Sequence, residues 1–127
     1  MKYEDLLNNL YENKDFCICE NKYSSQFFGN FNIELSYKNK IKLRILNDRD
    51  IIEILLIYHL FFWDDVPLGF AIDFLKNCIN RSKTYTFSNL SDAYLFLENS
   101  LVYLDEIIEK NLLKNIFKAF NKDRGRF

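Results

Sequence analysis

The sequence predicts an α+β fold: an antiparallel meander of about four strands packed against N-terminal, middle and long C-terminal helices. Two periodicities carry this reading. Phe31, Ile33, Leu35 and Tyr37 alternate with Asn32, Glu34 and Ser36, and Ile41, Leu43 and Ile45 then alternate with Lys42 and Arg44. A period of two puts the first set of each segment on a buried face and the second in water. Further on, Leu90, Tyr94, Leu97, Leu101, Leu104 and Ile108 recur at spacings of four and three, the stripe of an amphipathic helix.

Each element follows from local chemistry. Residues 3–12 place Leu6, Leu7 and Leu10 on one helical face, with Glu4 and Asp5 in the first turn, where the helix dipole favours acids. A strand is expected at Asp15 to Glu20, with Phe16 and Ile18 opposing Cys17 and Cys19. Asn21 to Asn30 connects it to the meander through a Gly29-Asn30 turn. Lys38-Asn39-Lys40 suits a tight hairpin loop, and Asn47-Asp48-Arg49-Asp50 plays the same part before a strand from Ile51 to Tyr58. That strand is apolar on both faces, which suits a central or doubly covered position.

Asp64 or Asp65 is expected to cap a helix with Pro67 in its first turn, running to about Asn77, followed by a loop over 80–88. Ser91 or Asn89 starts the long C-terminal helical pattern. Leu112, Ile116 and Phe120 extend it past a bend near Lys110 or Asn111, and the tail frays from Asp123.

The chain has 127 residues, one Pro and three Gly, with no Pro/Gly/Ser linker, which predicts one domain over 1–127 with a core that needs no staples. Met1-Lys2-Tyr3-Glu4-Asp5 lacks the apolar centre of a signal peptide, and the apolar run from Ile54 to Trp63 is far below the ~20 residues that span a bilayer. Cys17, Cys19 and Cys78 are an odd number, which suits reduced, buried or half-buried thiols. The expected location is cytoplasmic, with no membrane partner.

Charge is uneven. Residues 61–109 hold three Lys/Arg against eight Asp/Glu, whereas residues 110–127 hold six against one. The first stretch contains Trp63, Asp64, Asp65, Asp92, Glu98, Asp105, Glu106 and Glu109. Aromatic bulk ringed by acids is a composition that protein interfaces use, and an acidic face steers association with a basic partner. The bland reading is core aromatics running into a helix cap, followed by solvated helix faces. The second stretch carries Lys110, Lys114, Lys118 and Lys122 at four-residue intervals, a stripe that could track nucleic-acid phosphates or simply favour a helix C-terminus.

No reactive constellation is legible. His59 is the sole imidazole and reads as a structural histidine; Cys17-Ile18-Cys19 lacks the further ligands of a zinc site, and no Gly-rich phosphate loop occurs. No catalytic residue, metal or cofactor is therefore assigned.

The order of segments, with "FCICENKYSSQFFGN", "IKLRILNDRD", "IIEILL" and "WDD" between an N-terminal helix and a terminal amphipathic helix, resembles a group of small bacterial proteins. These carry an FGN turn and an LR-I-x-DRG-like hairpin, and several look like immunity proteins of polymorphic toxin systems, including contact-dependent growth inhibition. Phe28, Gly29, Asn30, Arg44, Asp48 and Arg49 match as fold markers, and Asp50 stands where glycine is usual. The resemblance implies a cytosolic protein that binds and blocks one cognate toxin domain, a nuclease by the charge argument. The alternative is a nucleic-acid-binding regulator using the lysine stripe.

Overall fold

The computed structural model describes residues 1–24, 29–58, 64–80 and 82–123. Its order is α1 (Tyr3–Glu12), β1 (Phe16–Ser24), β2 (Asn30–Tyr37), β3 (Ile41–Asp48), β4 (Ile51–Ile57), β5 (Val66–Pro67), α2 (Leu68–Leu75), β6 (Thr86–Phe87), α3 (Leu90–Asn99), α4 (Leu101–Lys110) and α5 (Leu113–Asp123). The four long strands form the antiparallel meander the alternation predicts, in the order β1-β2-β3-β4. Beyond β4, β5 pairs one end of that strand and β6 the other, so β4 is central, as its apolar faces require.

The meander buries Phe31, Ile33, Leu35, Tyr37, Ile41, Leu43 and Ile45 on one face, with Ile52, Ile54 and Leu56 of β4 in register beside them. Leu6 and Leu10 of α1, Leu97 of α3, Leu104 and Ile107 of α4, and Ile116 and Phe117 of α5 close over that face in one cluster. The helices thus form one layer and the sheet the other, which gives each amphipathic element a single apolar side to bury.

Both tight turns are of the mirror-image kind that the right-handed twist of a hairpin favours. Lys38 and Asn39 both have positive φ (52° and 56°), as do Arg49 and Asp50 (54° and 65°). The aspartate at position 50 therefore occupies the left-handed conformation that glycine takes most easily. Residues of the FGN and DR segments meet at this end of the sheet. Asn30 Oδ1 accepts the Arg49 backbone N–H at 2.8 Å, and Asn47 Nδ2 donates to the Gly29 carbonyl at 3.1 Å. Phe28 lies outside the described residues.

Several boundaries differ from the sequence reading. β1 runs past Glu20 to Ser24, because pairing with β2 continues through a bulge between Ile18 and Glu20. Cys17, Cys19 and Cys78 are exposed free thiols rather than buried ones, since Cys17 and Cys19 fall off the core face and Cys78 follows the end of α2. Asp64 and Asp65 do not cap α2. Val66-Pro67 first adds a short strand to β4, and α2 starts at Leu68 with Pro67 as its N-cap residue. α2 ends at Leu75, where the left-handed Asn77 follows and the Cys78 N–H returns to the Asp73 carbonyl at 2.9 Å.

The long C-terminal pattern is three helices. Ser100 separates α3 from α4, its hydroxyl turned back to the Phe96 carbonyl. Asn111 (φ 53°, ψ 51°) ends α4 in a Schellman-type cap, with the Leu112 N–H on the Ile107 carbonyl at 3.0 Å and the Asn111 N–H on that of Ile108 at 3.2 Å. α5 continues to Asp123, where fraying is expected, and residues 124–127 lie outside the description. No described helix is long and apolar enough to cross a membrane.

Candidate functional site

The acids singled out by the sequence separate into two groups. Asp65 precedes β5 and is committed to the fold. Arg44 of β3 places Nη1 2.6 Å from Asp65 Oδ2 and Nη2 2.7 Å from Glu34 Oε1, on the sheet face away from the helices. Glu34 and Arg44 are direct cross-strand partners, so the meander itself sets this arrangement. The Asp64 N–H donates to Oδ1 of the fully buried Asn121 at 3.0 Å, and Asn121 Nδ2 donates to the Phe117 carbonyl at 2.8 Å. Asn121 thus ties α5 to the segment entering β5. The sequence gives no sign of this, because an isolated asparagine in a helix looks like any solvated one.

Asp105 is likewise structural. Its Oδ1 accepts from the Tyr37 hydroxyl at 2.7 Å and lies 2.8 Å from Lys38 Nζ, fastening α4 to the first hairpin turn. The Lys38 hydrogen bond, then that of Tyr37, holds the Asp105 carboxyl below its ordinary range against the opposing effect of burial. Asp92 sits in the first turn of α3, where its N–H donates to Asn89 Oδ1 at 2.8 Å and its carboxylate accepts from Asn89 Nδ2 at 3.0 Å. Asn89 is thus the helix N-cap, one of the two starts the sequence allows.

Glu98, Glu106 and Glu109 point outward along α3 and α4. Glu98 and Glu109 are exposed, while Glu106 is half-buried and bonds Lys110 Nζ at 2.8 Å, one turn along. Between them stand two apolar side chains the sequence reading passed over, Leu95 at 56% and Val102 at 66% exposure. Within α3, positions 92, 95 and 98 recur every three residues, and within α4 positions 102 and 106 are four apart, so each set shares one side of its own helix. The periodicity signal was there in Leu95 and Val102, as apolar residues off the core stripe. Trp63, the aromatic named with these acids, lies outside the described residues, as does His59.

The lysine stripe is interrupted. Lys110 ends α4 in its pair with Glu106, and the left-handed Asn111 divides it from α5, which alone carries Lys114, Lys118 and Lys122. These three are exposed, and Phe117 and Phe120 face the core, as the sequence predicts.

A separate cleft of about 240 Å³ lies between α2, β6 and α3, walled by Ile54, Ile72, Tyr85, Phe87 and Phe96. Its one acid, Asp73, is buried and accepts from the Tyr85 hydroxyl at 2.7 Å and from Lys83 at 3.2 Å. Burial pushes the Asp73 carboxyl up, but the Tyr85 and Lys83 hydrogen bonds, the Lys83 charge and the Cys78 thiol outweigh it and leave it below the ordinary value. The carboxylate is occupied by donors from its own chain, which makes the cluster a fastening of the 76–88 segment onto α2. Among the described residues no three His, Cys, Asp or Glu side chains are grouped as a metal ion would need.

The chain matches no protein-family model, no curated protein and no solved structure.

Proposed function

We propose that this chain is an immunity protein that binds a cognate toxin domain, a nuclease, and neutralises it by protein–protein inhibition in the cytoplasm. The observation that carries the reading is the α3–α4 arm, where Glu98 and Glu109 are exposed and Glu106 pairs with Lys110, while Asp65 and Asp105 are held by partners within the fold. A nuclease must offer positive charge to bind phosphate, so an acidic helical arm on a rigid sheet is complementary to it. Such an inhibitor needs a preorganised surface and no reactive groups of its own.

The test is co-expression with the C-terminal domain of the secreted protein encoded immediately upstream. Rescue of growth, co-purification in equal amounts, and loss of both on Glu98→Lys/Glu106→Lys/Glu109→Lys support the reading. Absence of binding to that domain, or no such gene upstream, removes it. The competing nucleic-acid reading rests on the exposed Lys114, Lys118 and Lys122 of α5. It requires retention on a DNA or RNA column at low salt and a log-affinity against log-salt slope that flattens when these become Gln.

A further inference from the structure

We infer that Leu95 and Val102 are the apolar anchors of the partner interface, and that the partner presents a basic surface with two apolar recesses. The inference rests on the inhibitor reading above and specifies which side chains bind. Leu95 and Val102 are among the most exposed large hydrophobic residues of the described chain, at 56% and 66%. Leu95 stands on α3 and Val102 on α4, on either side of the Ser100 junction, each on the solvent side of its own helix. That side is anchored from behind, since Ala93, Leu97, Leu104 and Ile107 are buried against the sheet. The Asp105 contacts to Tyr37 and Lys38 fix α4 to the first hairpin.

Charge complementarity names the occupant. Glu98 and Glu109 are the exposed acids on the same two helices, and Glu106 pairs with Lys110 at the end of α4. An apolar centre edged by one sign of charge is the anatomy of a protein interface, where the centre supplies affinity and the edge the rate of encounter. The partner that fits is a basic protein face with room for a leucine and a valine.

The experiment titrates the purified C-terminal domain of the upstream-encoded secreted protein against wild type, Leu95→Ala/Val102→Ala, and Glu98→Gln/Glu106→Gln/Glu109→Gln. Kinetics are followed at two salt concentrations. The alanine pair is expected to weaken binding about 100-fold or more, through faster dissociation at either salt, with an unchanged melting temperature. The glutamine variant is expected to slow association and flatten its salt dependence. Wild-type binding that survives Leu95→Ala/Val102→Ala, and also Leu95→Asp, overturns the inference and leaves the inhibitor reading standing. No binding by wild type removes the inhibitor reading and the inference with it.

Discussion

The ring of Tyr85 lies directly on the backbone of Gly69. A β-carbon at position 69 would sit 2.2 Å from Cδ1 of Tyr85 and 2.9 Å from Cε1, closer than any packed pair of carbons tolerates. Gly69 is the second residue of α2, and the space it leaves lets Tyr85 reach across and donate to Asp73. The glycine is there for close approach rather than for a turn.

Gly69→Ala is accordingly expected to cost about 1–3 kcal/mol, because the ring must shift and its hydroxyl leave Asp73. In a Tyr85→Ala background the same substitution should cost much less. Urea denaturation of the four proteins of this cycle measures the coupling, and additive effects would contradict the contact.

Asp73 makes stability depend on pH. Its folded carboxyl titrates below the ordinary value, so the stabilisation is complete above the unfolded-state value, near ~3.9, and lost as pH falls through the folded one. Asp105 acts in the same direction, so the informative comparison is Asp73→Asn with wild type. The variant should be less stable at pH 7, and the gap should narrow toward pH 3. A gap that stays constant across urea titrations at those two pH values would argue against a charged Asp73.

The two groups of acids should respond differently to neutralisation. Arg44→Gln removes the charge that Glu34 and Asp65 share, and Asp65→Asn removes one of the two carboxylates on Arg44; each is expected to cost about 1–3 kcal/mol. Glu98→Gln and Glu109→Gln, both at exposed positions, should stay within about 0.5 kcal/mol. Thermal melts of single variants decide this; equal losses in both groups would refute the division.

Asp50 lies at φ 65° in the second turn. Asp50→Gly removes the left-handed strain of a residue with a β-carbon, partly offset by greater freedom in the unfolded chain. A net gain of about 0.5–1 kcal/mol is expected, roughly 2–4 °C in melting temperature. A lower melting temperature would mean that the aspartate side chain contributes more than its backbone costs.

The meander was legible residue by residue, because a strand with one wet and one dry face writes that asymmetry into alternate positions. β5 and β6 were not legible. Each has only two residues, too few to show a period, and each is a strand only because β4 offers an unpaired edge. The break at Asn111 falls where the sequence places a bend, whereas the break at Ser100 was masked by an apolar stripe that continues through it. Lys110 and Glu106 pair at a spacing any reader of the sequence can see, whereas the bond from Tyr37 to Asp105 spans 68 residues.

By itself, then, the sequence determined the α+β class, the register of the alternating strands, the turn positions and the uneven charge, all of which are consequences of neighbours a few residues apart. Only the tertiary structure decided which acids serve the fold and which face water. A carboxylate's role depends on which donor the chain brings to it, and for Asp65, Asp73 and Asp105 those donors are Arg44, Tyr85 and Tyr37, supplied by separate elements. Left outside those pairings, Glu98 and Glu109 face water on the same two helices that expose Leu95 and Val102.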